Sequence, residues 1–262
     1  MTSPAVLFQV SGNVAQVTLN RPDAMNSIDL ELARELLQVA IRCDRDRAIR
    51  AVLLTGAGKA FCAGGDLRAM ASFGDGIGGG LKELTTYLHA AVAHFARMDA
   101  PMVVAVNGVA AGAGTSLAIT GDFVLAAESA GFLMAYTAAG LVPDGSSTFF
   151  LPRLIGVRRT AELMLTNRRL SAHEAMDWGL VNRVVAGDRL AEEAMAWAQR
   201  FAAGPTRAFG RVKRLLHDSY AATLETQMEM ESRAIAEMAE SSDGREGIAA
   251  FVEKRRPLFT GS

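Results

Sequence analysis

Pro101-Met-Val-Val-Ala-Val-Asn-Gly-Val-Ala-Ala-Gly-Ala-Gly114 is the stretch that decides the fold. Met102–Val106 is a short, wholly apolar run, the pattern of a buried strand. Asn107 and Gly108 mark a turn, and Gly112 opens a helix. No charged residue occurs from Ala100 to Gly121, a length that could cross a bilayer. Pro101, Asn107, Gly108, Gly112, Gly114, Thr115 and Ser116 interrupt that run, so a strand, a glycine turn and a buried helix explain it better. Upstream, Ala51–Thr55 is another buried-strand pattern ending in Gly-Ala-Gly. Ala60-Phe-Cys-Ala-Gly-Gly-Asp-Leu67 then repeats the glycine-rich turn before a helix. Downstream, Phe123–Ala127 and Gly131–Leu133 are short strands.

The flanks complete the pattern. Val6–Val10 and Val14–Leu19 surround Ser-Gly-Asn, a hairpin signal. Asp29 caps a helix whose Leu32, Leu36, Val39 and Ala40 recur at helical spacing. Ser72–Gly80 is glycine-rich and reads as a mobile loop. Leu84, Leu88, Ala91, Val92 and Phe95 mark an amphipathic helix. From about Arg158 the texture becomes helical. Ser171 and Glu174 form a capping box before a helix ending at Gly179. Leu180–Val185 reads as a strand, Asp188 and Pro205 open helices, and Thr223–Ala239 is a long one. The tail Phe251-Val-Glu-Lys-Arg-Arg-Pro-Leu-Phe259 is basic. Strands alternating with helices, followed by a helical end, predict an α/β fold. No exact internal repeat and no separating linker is visible.

Composition narrows the function. Lys+Arg 27 against Asp+Glu 28 gives a net charge of -1. That balance argues against a nucleic-acid or anionic-membrane partner. The Arg42–Arg50 charge run reads as a solvated face. Cys43 and Cys62 cannot form a disulfide framework, and no Cys/His cluster has zinc spacing. The start, MTSPAVLFQV, lacks the pattern of a signal peptide. A cytoplasmic location is expected, with no metal. Sixteen of the 25 glycines fall between Gly56 and Gly145. That crowding locates whatever needs close backbone approach.

The two glycine turns each lead from a strand toward a helix, where free N–H groups favour negative charge. Two such groups aimed at one oxygen would make an oxyanion hole. Taken singly, either turn is explained by close packing. Neither is a phosphate-binding P-loop or a dinucleotide fingerprint. A third segment is Leu141-Val-Pro-Asp-Gly-Ser-Ser-Thr148. Among Phe132, Leu133, Leu141, Val142, Phe149 and Phe150, Asp144 would be a carboxylate in apolar surroundings. Such a group suits a general base. From these residues alone it reads first as a turn aspartate or a helix cap.

Six blocks in order resemble the crotonase (enoyl-CoA hydratase/isomerase) superfamily along nearly the whole chain. They are Leu19-Asn-Arg-Pro-Asp-Ala-Met-Asn-Ser27, Lys59-Ala-Phe-Cys-Ala-Gly-Gly-Asp-Leu67 and the Pro101–Gly114 stretch. Gly140-Leu-Val-Pro-Asp144 with Leu151-Pro-Arg-Leu-Ile-Gly156, Ala175-Met-Asp-Trp-Gly-Leu-Val181 and Phe251-Val-Glu-Lys-Arg255 complete the set. The resemblance implies a crotonase-like spiral of ββα units over residues 1–200. It implies a helical trimerisation region over 201–262, within the same fold unit. It also implies acyl-CoA thioester ligands, with no cofactor beyond the coenzyme A of the substrate, and a homotrimer or dimer of trimers. The thioester oxygen would be held by the N–H groups at the positions matching Gly65 and Ala113. Coenzyme A would lie along Ala24, Met25 and Ser27 and along Ala63, Gly64, Asp66, Leu67 and Gly112. Arg21 and Lys254 are candidates for its phosphates.

The sequence departs from the hydratases of that superfamily. Their two water-delivering glutamates match Ser116 and Tyr136. The carboxylate sits instead at Asp144, as in the superfamily's 3-enoyl-CoA and ring-epoxide isomerases. One carboxylate suits proton removal and return, so a double-bond shift is the leading expectation. A hydratase without the usual pair is one alternative. A second is 4-chlorobenzoyl-CoA dehalogenase-like chemistry, in which His89 and Tyr136 match site positions. In that comparison Tyr136 replaces a Trp and Gly65 replaces a bulky aromatic residue. A non-catalytic thioester binder is the remaining alternative.

Overall fold

The computed structural model describes residues 3–262. The hairpin of β1 (Val6–Ser11) and β2 (Val14–Leu19) comes first, then helix α1 (Leu30–Arg45). Three similar turns of chain follow. The first holds β3 (Ala51–Gly56), β4 (Ala60–Cys62), α2 (Leu67–Ala71) and α3 (Ile77–Arg97). The second holds β5 (Met102–Val106), β6 (Val109–Ala111) and α4 (Ala113–Ala118). The third holds β7 (Phe123–Ala127), β8 (Gly131–Leu133) and α5 (Ser147–Thr166). Then come β9 (Leu170–Ser171), α6 (Ala172–Trp178), β10 (Arg183–Val185) and α7 (Leu190–Ala202). The last helices are α8 (Thr206–Asp218), α9 (Leu224–Glu240) and α10 (Ser242–Val252).

The first strand of each turn enters a six-stranded sheet ordered β1-β2-β3-β5-β7-β10. The second strand enters a four-stranded sheet ordered β4-β6-β8-β9. In both sheets the strands of successive turns are parallel neighbours. The chain is therefore a spiral of ββα units in an α/β fold. Parallel order also sends β4, β6 and β8 out of the sheet at one end, and the site is built there.

Alternate residues of the large sheet face two cores. Val52, Leu54, Val104 and Val106 join the core shared with α1 and α3. Leu53, Val103, Ala105 and Leu125 pack under Leu190, Ala194 and Ala198 of α7. Burial on both faces explains why β5 is apolar at every position. Lys213 of α8 is buried and pins the C-terminal helices to this sheet. Its Nζ lies 2.7 Å from Asp122 Oδ2 and donates to the Phe95 and Ala100 carbonyls.

Several expectations change. Ser72–Gly80 is not a loop throughout, because Gly74–Gly76 is a 3-10 turn and Ile77–Gly80 begins α3. Helix propagation from the amphipathic Leu84–Phe95 stretch outweighs the low propensity of three glycines. The strand expected from Leu180 pairs only from Arg183, since Leu180 and Val181 turn into the core. Helix α5 starts at Ser147, well before Arg158, and kinks at Gly156 (φ 78°). Helix α7 begins at Leu190, just after the expected Asp188. Helix α10 occupies Ser242–Val252, just ahead of and into the tail that reads as basic. Arg50 is not solvated: it is buried, and its guanidinium donates to Gly204 O and Thr206 Oγ1. Among the described residues no helix is long and apolar enough to cross a membrane.

Candidate active site

Three consecutive turns of the spiral deliver three segments to one cavity of about 270 Å³. Ala63, Gly64 and Gly65 follow β4, Gly112 and Ala113 follow β6, and Ala135 and Tyr136 follow β8. Asp144, at the turn before α5, is the only carboxylate lining it among the described residues. Met70 of α2, Leu84 and Leu88 of α3, and Leu141 and Val142 supply apolar walls.

The turns fit together through their glycines. Gly64 has φ 94°, and a Cβ there would stand 2.8 Å from the Ala111 carbonyl oxygen. A Cβ on Gly114 would stand 2.1 Å from the Cys62 carbonyl oxygen, so α4 can sit against β4 only with glycine there. Gly112 N donates to Leu133 O at 3.0 Å, and Thr115 Oγ1 donates to both Ala110 O and Leu133 O. The N–H groups of Gly65 and Ala113 have no acceptor among the described residues, and both residues line the cavity. These are the two donors a thioester oxygen would need. Ala113 is the first residue of α4, whereas Gly65 precedes Asp66, the N-cap of α2. Both helices are short, so the individual N–H groups, more than a helix dipole, carry the attraction for negative charge.

Asp144 is held from three sides. Tyr136 donates its phenol O–H to Oδ1 at 2.6 Å. His89 of α3 places Nε2 3.1 Å from Oδ2. Ser116 and Ser147 each donate to the Asp144 backbone carbonyl at 2.9 Å. Burial first, and then the neighbouring Asp144 carboxylate, push the Tyr136 phenol above its ordinary range. Tyr136 therefore stays protonated and remains a donor. Ser116 and Tyr136, the positions that match the hydratase glutamates, both serve to position Asp144. The surroundings of Asp144 are also less apolar than the sequence suggests. Its side chain is 26% accessible and has polar partners. Phe149 and Phe150 point to a different cavity.

The Gly145 N–H also points at His89 Nε2, at 3.1 Å. One ring nitrogen cannot donate to a carboxylate and accept from an amide through the same site. The two contacts therefore belong to alternative states of Nε2, one carrying its hydrogen and one bare.

The other expected residues divide. Leu67 lines the cavity. Ala24, Met25 and Ser27 lie beside the first glycine turn, since Ala63 N donates to Met25 O at 3.0 Å. They do not line the cavity itself. Arg21 is already occupied: it pairs with Asp29 at 2.9 Å and Asp66 at 3.1 Å and donates to Ser27 O. Asp66 is likewise an N-cap, accepting from Arg68 N and Ala69 N. Burial works against its ionisation, but the Ala69 N–H and the Arg21 guanidinium outweigh it and hold the carboxyl below the usual range. Arg21 and Asp66 are thus frame residues of the first turn. Lys254 follows α10, exposed and outside the cavity.

Sequence reasoning passed over Asn26. It is fully buried, and its amide donates to the carbonyls of Ala57, Ala60 and Phe61 while Oδ1 accepts from Arg21 N. It joins the segment around Met25 to β4. Its left-handed φ of 56° was a further hidden feature, as was that of Ala135 (φ 55°) on the cavity wall.

An enoyl-CoA hydratase/isomerase family model matches residues 9–262. The chain belongs to the enoyl-CoA hydratase/isomerase family. It is 40% identical to the 1,2-epoxyphenylacetyl-CoA isomerase of Escherichia coli (strain K12), over 98% of each chain. It is 34% identical to the 4-chlorobenzoyl coenzyme A dehalogenase-2 of an Arthrobacter species, over 92% of this chain and 88% of the other. The crystal structure of an enoyl-CoA hydratase from Polaromonas sp. JS666 superposes with a TM-score of 0.93 at 32% identity, covering 97% of this chain and 99% of that one. As an enoyl-CoA hydratase/isomerase family protein, this chain is an acyl-CoA enzyme whose cavity pairs two free backbone N–H groups with one carboxylate.

Proposed function

We propose that the protein isomerises an enoyl-CoA by proton transfer through Asp144, with the N–H groups of Gly65 and Ala113 holding the thioester oxygen. The observation that carries this is the single carboxylate on the cavity wall, fixed by Tyr136 at 2.6 Å. Asp144 removes the acidic proton beside the thioester carbonyl. Charge moves onto the thioester oxygen, where each donor is worth about 2.7–4 kcal/mol by analogy with known oxyanion holes. The carboxylic acid then returns a proton at the far carbon of the dienolate. No water is consumed. Rearrangement of a ring epoxide, named in the Escherichia coli relative, belongs to the same water-free class. Hydration is disfavoured because Ser116 and Tyr136 are turned toward Asp144.

A second reading rests on the His89–Asp144 contact of 3.1 Å. There Asp144 displaces halide from the ring of an aryl-CoA and water then hydrolyses the aryl ester formed on it, a dehalogenation of the kind the Arthrobacter relative is named for. Tyr136 and Gly65 speak against it, since they stand where that resemblance has a Trp and a bulky aromatic residue. One panel separates the readings: 3-enoyl-CoA, 2-enoyl-CoA, 1,2-epoxyphenylacetyl-CoA and 4-chlorobenzoyl-CoA, each with the native protein and with Asp144→Ala. Isomerisation of the first or third substrate is expected. Asp144→Ala should lower it at least 10²-fold, the usual span for a general base, while still binding a saturated acyl-CoA. Fast hydration of 2-enoyl-CoA without isomerisation would sink the proposal, as would unchanged turnover in Asp144→Ala.

A further inference from the structure

We infer that His89 is a proton-exchange residue: it opens the proton held by Asp144 to solvent on the side away from the acyl cavity. The inference rests on the isomerase reading and adds to it a fate for the proton.

The observation is one of placement. Asp144 lines the acyl cavity, and His89 does not. His89 lines a second cavity of about 720 Å³, shared with Arg97, Arg214 and His217, and Asp144 does not line that one. The 3.1 Å contact from His89 Nε2 to Asp144 Oδ2 is therefore a junction between the two cavities. The His89 side chain is 48% accessible, against 26% for Asp144.

The chemistry balances without a co-reactant. Asp144 takes a proton from substrate and becomes a neutral acid. The Oδ2–H bond breaks, an Nε2–H bond forms, and Asp144 is a carboxylate again beside an imidazolium. Exposed side chains change rotamer in picoseconds to nanoseconds. The half-exposed ring can thus leave Asp144, trade a ring proton with water and return. A solvent proton then passes from Nε2 to Oδ2 and on to the dienolate. Burial, the leading cause, holds the His217 imidazole below its ordinary value, so it is a neutral base on the same wall. The Gly145 N–H supplies the counter-contact: it occupies Nε2 when that nitrogen carries no proton. His89 touches Asp144 and not the substrate, so its effect is on which proton returns.

The test is isomerisation of 3-enoyl-CoA in deuterium oxide, stopped at low conversion, with deuterium in the product counted by mass spectrometry. Most product molecules formed by the native protein should carry one solvent deuterium. His89→Gln keeps a hydrogen-bond donor for Asp144 but cannot hold a proton. Ala93→Trp puts an indole on the wall of the second cavity one helical turn from His89, at a residue that does not line the acyl cavity. Both should return the substrate's own proton in most turnovers. The quantity is a ratio per product molecule, so it does not depend on how fast a variant works. Native protein that already returns the substrate proton overturns the inference. So do variants with native incorporation. A second arm follows deuterium washed into unreacted 3-enoyl-CoA next to the thioester, which needs proton removal but not a completed shift. Native wash-in that His89→Gln abolishes upholds the inference even if no product forms, in which case the isomerase reading alone fails. Absence of wash-in and of product deuterium in the native protein overturns the inference.

Discussion

Tyr136 and Asp144 stand eight positions apart in sequence, and their 2.6 Å contact sets the chemistry of the cavity. A hydrogen bond to a charged acceptor is worth about 1.5–3 kcal/mol, roughly ten- to a hundredfold in rate if it is needed for alignment. Partial exposure of Asp144 places the effect at the lower end. Tyr136→Phe should therefore lower kcat about tenfold and leave acyl-CoA affinity nearly unchanged. Steady-state kinetics check this, and an unaltered kcat would remove Tyr136 from the machinery. The raised phenol pKa has its own signature. A tyrosinate absorbance difference between native protein and Tyr136→Phe should show no ionisation of residue 136 one unit above the ordinary value of about 10. Ionisation there would mean that burial and the Asp144 carboxylate do not act on it as the geometry requires.

The glycine turns make a prediction that belongs to the elements. A Cβ on Gly114 meets backbone, the Cys62 carbonyl oxygen at 2.1 Å, and α4 must lift away from β4. Gly114→Ala should cost about 1–3 kcal/mol, the usual range for overpacking, read as a fall in the denaturation midpoint. A Cβ on Gly65 meets only the Met70 methyl group at 2.3 Å, the free end of a flexible side chain. Gly65→Ala should fold nearly normally yet lose activity, because Met70 moves within the cavity it lines. Equal destabilisation by the two variants would contradict this account. The contrast also marks what was legible in advance. The glycine turns, β5, β7, β8 and the Ser171–Glu174 capping box carry strong local signals, and they stand where the sequence places them. Strands β4, β6 and β9 are two or three residues long and run directly into a glycine turn or a helix start, so β8 is the one strand of the second sheet that the sequence places. The turn that holds Asp144 is legible through Pro143 and Gly145, but its site role comes only from the resemblance, and its partners are not legible. The distance from His89 to Asp144 depends on how α3 crosses the third turn of the spiral. The buried contacts of Asn26 and Arg50 depend on segments 31 to 156 residues away. Arg21 is misleading for the same reason: its carboxylate partner Asp66 arrives from another turn.

Across the whole molecule, exposed apolar side chains occur in the spiral at Val142, Val157 and Leu165, and they recur on each of the last three helices. Phe251 is 86% exposed, Val252 74% and Ile235 72%, and Val212, Leu216 and Ile248 are exposed as well. Single exposed apolar residues are ordinary, but a face that repeats them over α8, α9 and α10 is the kind that associating surfaces carry. Covering such a face returns about 25 cal/mol per Å², and identical chains cover it most simply by closed symmetry. The expectation that residues 201–262 drive assembly into a trimer or dimer of trimers thus has a physical motive in the exposure of these side chains. Light scattering coupled to size exclusion should give a mass of three or six protomers. Phe251→Glu, which puts a charge where apolar contact is needed, should shift the population toward the 27.8 kDa protomer. The acyl cavity is lined by the spiral and by none of α8–α10, so the dissociated variant should still present Asp144, Gly65 and Ala113 as a set. A native protein that runs as a single protomer at micromolar concentration would overturn the assembly, and the exposed face would then need a different partner.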